Sequence, residues 1–140
     1  MNVKRLIAAI VAGFVFVFAS DFLVHGVWLV PDYKATLEVW RPDAEMMARM
    51  PFMTAAQLLC VTTFVMIWAK GFADRGCLRC AVIYGLMMGL FSQVNTLINY
   101  VIIPMPGVLA AKWFAVALVQ SVALGVITFL IYKPASPTTR

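Results

Sequence analysis

Four apolar stretches divide the chain, at about 6–30, 50–69, 80–103 and 108–132, and each is long enough to cross a membrane as a helix. Short polar or proline-rich connections separate them. The longest, 31–49, carries Asp32, Lys34, Glu38, Arg41, Asp43, Glu45 and Arg49. Pro42 suits the first turn of a helix and Asp43 and Glu45 its positive end, so a short outer helix is expected over about 42–49. It runs on into the second stretch, with a bend at Pro51. The cluster Pro104-Met105-Pro106-Gly107 breaks the third stretch from the fourth, and Pro134 and Pro137 keep the tail from Lys133 onward out of helix. A cleavable signal peptide ending at Val17-Phe18-Ala19 competes for the first stretch. The apolar run continues to Val30, which fits a retained helix.

The polar exceptions inside this pattern carry the functional interest. Asp21, Gln57, Asn95 and Gln120 each lie in a different stretch. At about 1.5 Å of rise per residue, Asp21 and Asn95 fall roughly 21 Å into a ~30 Å hydrocarbon core. Counted from Arg49 and Lys112 at the opposite side, Gln57 and Gln120 lie about 12 Å down, at nearly the same level. His25 and Asn99 form a second pair one turn further out. Hydrocarbon offers no hydrogen bonds, so these groups must meet one another, a water-filled cavity or a ligand.

Helical faces support their convergence. Gly13, Ser20, Asp21, Val24, His25 and Trp28 share one side of the first helix, leaving Val15, Phe16, Phe22 and Leu23 for lipid. On the third, Tyr84, Gly85, Met88, Ser92, Asn95, Thr96 and Asn99 align, and Gly85-xxx-Gly89 permits close approach of another backbone. The fourth offers Ala117, Ser121 and Gly125, with Gln120 and Thr128 adjoining. Gln93 falls off its stripe and marks a candidate contact with another subunit. A parallel duplication would pair Asp21/His25 with Asn95/Asn99 and Gln57 with Gln120.

Composition agrees with the pattern. Of 140 residues 64% are hydrophobic and 12% charged, against about half and a quarter in soluble domains. The formal charge of +5 does not indicate nucleic acid, because the basic residues sit at the ends of the apolar stretches. Lys4, Arg5, Lys70, Arg75, Arg79, Lys133 and Arg140 gather on the side of both termini, opposed by Asp74 alone. The positive-inside rule then places both termini in the cytoplasm. The expected architecture is all-α: a single membrane domain over 1–140, built as a four-transmembrane-helix bundle.

An ionised carboxylate near the bilayer middle costs roughly 2.5–3.5 kcal/mol or more, whereas asparagine and glutamine there commonly serve as interhelical hydrogen-bond glue. Asp21 and His25, four apart on one helix, are read either as a proton relay or ion ligand, or as a locked pair that orients the helix. Met46, Met50 and Met53, with Met105 on the same side, are soft donors that would suit Cu(I), against a plain gap-filling role. Cys77 and Cys80 form a lone CxxC, read as interfacial packing rather than a zinc or redox site. Trp28, Tyr33, Trp40 and Trp113 on one side, and Trp68 and Tyr132 on the other, are expected as interface belts. The sequence carries no nucleophile elbow, phosphate loop, HExxH motif or second histidine for haem, so neither an enzyme nor a cofactor is expected.

The stretch Asp21-Phe-Leu-Val-His25-Gly-Val, with Pro31-Asp32-Tyr33, Trp40-Arg41-Pro42 and Glu45-Met-Met-Ala-Arg49-Met, resembles small bacterial four-helix membrane proteins of unknown function. The resemblance implies a bacterial inner-membrane setting and assigns no residue a role. Taken together, these readings favour a non-enzymatic membrane component, an accessory subunit or homo-oligomer, whose partners are the bilayer and other membrane subunits. A small proton or cation transporter centred on Asp21 and His25 is the alternative, and periplasm-facing Cu(I) handling the third.

Overall fold

A computed structural model describes residues 2–132; the tail from Lys133, expected to be non-helical, lies outside the described residues. Helix α1 (Val3–Leu23) continues through a π-helical turn (Val24–Trp28), followed by the short α2 (Val30–Lys34). Then come α3 (Asp43–Gly71), α4 (Leu78–Ile102) and α5 (Gly107–Ile131). No strand occurs among the described residues. Four segments, Val3–Trp28, Asp43–Gly71, Leu78–Ile102 and Gly107–Ile131, are long and apolar enough to cross a membrane.

Local chemistry sets these boundaries. The Asn2 side chain accepts the Arg5 N–H at 3.1 Å and so satisfies one of the unpaired donors that open α1. Pro42 and Pro106 sit in extended geometry immediately before α3 and α5, where a missing N–H costs nothing. The expected outer helix and the second apolar stretch are one 29-residue helix. Pro51 lies inside it, depriving only the Met47 carbonyl of its usual partner.

The closest packing joins α4 to α5. A Cβ built at Gly85 would lie 2.6 Å from the Ser121 carbonyl oxygen, and one at Gly125 would lie 2.6 Å from that of Ala81. Only glycine lets two backbones approach so far, and Ser121 Oγ adds a 2.7 Å hydrogen bond to the Gly85 carbonyl. Helix α1 packs against both α3 and α5, with Gly13 seated against the Leu124 and Val61 side chains. Between α3 and α4 the backbones stand farther apart and aromatic rings fill the space. Tyr84 donates its hydroxyl to the Phe64 carbonyl, and Trp68 packs on Phe72, Tyr84 and Phe129.

Trp68 is fully buried and Tyr132 nearly so, which corrects their assignment to an interface belt. The spacing Val61, Phe64, Val65, Trp68 is a helical core stripe, and Trp68 continues it rather than turning outward. Trp28, by contrast, is exposed.

Candidate functional site

The end of the bundle holding the 29–42 connection, here the distal end, contains the polar layer. Asp21 sits two residues from the end of α1, half-buried between α3 and α5. Gln57 on α3 donates its amide N–H to Asp21 Oδ2 at 2.5 Å, and Gln120 on α5 donates to Oδ1 at 2.7 Å. The second N–H of Gln120 reaches Ser20 Oγ at 2.7 Å. Ser20 in turn donates to the Phe16 carbonyl, so the network is anchored in α1 itself. One carboxyl group therefore ties three helices together. Gln57 Oε1 is buried without a hydrogen-bond partner among the described residues.

Helix α4 contributes through Gln93 and Thr96, which are buried, with Thr96 Oγ1 donating to Gln93 Oε1 at 2.6 Å. Asn95 is exposed on the outer surface of α4 and Asn99 is half-buried near its end. The expected inward stripe is thus rotated, and Gln93 replaces Asn95 in the interior. The signal lay in Gly85, Gly89 and Gln93 at four-residue intervals: the glycines must face α5, and they carry Gln93 round with them. The correspondence a duplication would draw between Asp21 and Asn95 is not matched in the hydrogen bonding: Gln120 pairs with Asp21, while Asn95 is exposed.

Just distal to Asp21, the π-helical turn widens the backbone, with the Leu29 N–H reaching back to the Val24 carbonyl at 2.8 Å. His25 lies in this turn. Its Nδ1 meets the Tyr33 hydroxyl at 2.5 Å, and Trp113 Nε1 donates to the same oxygen at 2.9 Å. While accepting from Trp113, the Tyr33 hydroxyl has its own proton to offer His25 Nδ1, an arrangement that goes with the Nε2–H tautomer of the ring. Trp40 closes the cluster, its ring centroid 5.4 Å from that of Tyr33 and 5.8 Å from that of Trp113. An ion pair between Lys112 and Asp32 at 2.8 Å pins α2 to the start of α5. Both side chains are about 30% exposed (31% and 27%), so the pair contributes on the order of 0.5–1 kcal/mol.

Beside this aromatic cluster lies an open pocket of about 250 Å³ lined by Asp21, His25, Gln93, Thr96, Trp113, Val116, Ala117 and Gln120. Its mixed lining, with five polar side chains, and its size suit several water molecules or a hydrated ion. A second, mainly apolar cleft of about 390 Å³ lies between Cys60, Thr63 and Phe64 on α3 and Met88, Phe91 and Ser92 on α4, reaching Gln93 and Gln120 at its base. Among the described residues, no group of three or more His, Cys, Asp or Glu side chains is placed to hold a metal. Met46 and Met53 are exposed along α3 and Met50 is half-buried, whereas Met105 is buried in the α4–α5 connection.

Burial pushes the Tyr33 phenol up to about 12; the Trp113 hydrogen bond pulls it down, and the charges of Asp32 and Asp21 add to the rise. An unfolded phenol ionises near 10, so the retained proton stabilises the fold below about pH 10 and that contribution is lost between about 10 and 12. In an ultraviolet absorbance titration, the phenolate signal missing from Tyr33→Phe should appear about two units above the ordinary value. Asp32→Asn should bring it down and Trp113→Phe should send it higher. Ionisation of Tyr33 near pH 10 would contradict the buried placement.

Comparison with protein-family models, curated proteins and solved structures finds no match to this chain. The site therefore has to be interpreted from its own chemistry.

Proposed function

We propose that the chain is a multi-pass bacterial inner-membrane protein, with both termini in the cytoplasm, that acts without catalysis as an accessory subunit or a self-associating component. The orientation rests on the crowding of basic residues at the end of the termini. The observation that carries the functional reading is the double engagement of Asp21: both carboxyl oxygens accept amide N–H groups, from two different helices. Such a clamp fixes the rotation and register of α1, α3 and α5, and apolar packing alone would leave these loosely specified. The distal half of α3 supports a partner. Residues 43–49 are all exposed and Phe52 is 82% exposed, so this half finds little cover within its own chain.

A second reading has its own observation. Asp21 and His25 line the same polar cavity, the arrangement a small proton or cation conduit would need. The two readings separate in one experiment on reconstituted protein. Wild type and Asp21→Asn are compared for proton and cation flux in liposomes, and for assembly mass by native mass spectrometry. An unchanged assembly mass and no flux in either protein are expected. Flux in wild type that vanishes in a folded Asp21→Asn protein would overturn the first reading and establish the second.

A further inference from the structure

At the opposite end of the bundle, the turn between α3 and α4 presents two sulfurs together. Gly76 adopts φ 52°, a left-handed conformation that suits glycine, and delivers Cys77 in extended geometry as the N-cap of the 25-residue α4. Serine, threonine, aspartate and asparagine are the usual residues at such a position. Here a thiol takes that role: Cys77 Sγ accepts the Cys80 N–H at 3.0 Å. The residue that donates this N–H carries the second thiol, so the two cysteines meet at the start of the helix. Neither is in a disulfide, and both are partly open to the surroundings.

We propose that Cys77 and Cys80 form a redox-active dithiol that exchanges with small disulfides of the glutathione type, Cys77 attacking and Cys80 resolving. The roles follow from the cap. The sulfur that receives the helix N-terminal N–H is the one whose thiolate is stabilised, by hydrogen bonds and by the positive end of the helix. Hydrogen bonding from the Cys80 side chain, then from its backbone N–H, holds the Cys77 thiol below its usual range, with Arg79 adding in the same direction.

The chemistry balances. The Cys77 thiolate attacks one sulfur of oxidised glutathione, the Cys77–glutathione bond forms, the original S–S bond breaks, and one glutathione leaves as thiolate. The Cys80 thiolate then attacks the Cys77 sulfur, closes the Cys77–Cys80 bond and expels the second glutathione. The cysteine pair loses two electrons and two protons, and both are accounted for in two reduced glutathione molecules. Closing the Cys77–Cys80 bond takes the Cys77 sulfur out of its role as the cap of α4, which makes the oxidised form easily reduced.

The test treats the purified full chain in mild detergent with oxidised glutathione and follows intact mass and peptide maps. Wild type should lose two hydrogens without retaining glutathione, with Cys77 joined to Cys80. Cys80→Ser should accumulate one glutathione at Cys77. Cys77→Ser should react at least about tenfold more slowly, at a rate comparable to Cys60 within α3. A wild-type protein of intact helicity that forms no such bond would overturn the proposal, as would a Cys80→Ser variant modified at Cys60 as fast as at Cys77.

Discussion

Replacing Asp21 with alanine is expected to destabilise the folded bundle by about 2–4 kcal/mol. The change strips a partner from Gln57 and one from Gln120, and each buried donor left unsatisfied costs about 1–3 kcal/mol. Two effects work against that loss. Hydrogen bonds between membrane helices average nearer 0.6 kcal/mol, because the unfolded chain also finds partners. Removal of a carboxyl group from an apolar setting is itself favourable, but that group sits in the same setting in the unfolded, micelle-bound chain, so most of this benefit cancels. Asp21→Asn keeps the shape and can still pair with a flipped glutamine amide, so it should lose only about 1 kcal/mol. Reversible unfolding by detergent titration, followed by circular dichroism, measures all of these. Leucine at positions 21, 57 and 120 together should recover most of the stability, since none of the clamp's own buried polar groups is then left unpaired.

The second large effect is expected at the α4–α5 contact. Gly85→Ala and Gly125→Ala should each cost about 2–3 kcal/mol, since each new Cβ would stand 2.6 Å from a backbone carbonyl oxygen. A backbone cannot step aside as a flexible side chain would, so the helices have to part. The double variant should lose less than the sum of the two. A Cβ at Gly125 also lies 3.2 Å from the Gly85 Cα, and helices already separated for one methyl group have room for the other. Gly71→Ala is the control: nothing lies within 4 Å of its Cβ, and it should be neutral within about 0.5 kcal/mol. Gains at all three positions, as the higher helix propensity of alanine alone would give, would show that the close approach does not set the result.

Much of this arrangement was legible before any coordinates. Counting rise per residue from the charged ends brought Asp21, Gln57 and Gln120 to one level, and hydrogen bonds join them there. Depth is a one-dimensional quantity that the sequence carries directly. Rotation about the helix axis is harder, because it depends on which stripe the neighbouring helix accepts. On α4 the glycines decided it, and Asn95 turned outward while Gln93 turned in. The His25–Tyr33–Trp113 cluster was not legible, since it depends on a π-helical turn and on the connection folding back over α5. Trp68 was assigned to an interface belt by residue type alone, although the core spacing leading to it was present.

The most direct test of the polar clamp is a double-mutant cycle between Asp21 and Gln57, with Asp21→Ala, Gln57→Ala and the pair unfolded under the same conditions. A coupling of about 1 kcal/mol or more is expected, and a similar one between Asp21 and Gln120. Strictly additive losses in both cycles would contradict it, because they would mean that the three side chains do not share a bond in the folded protein.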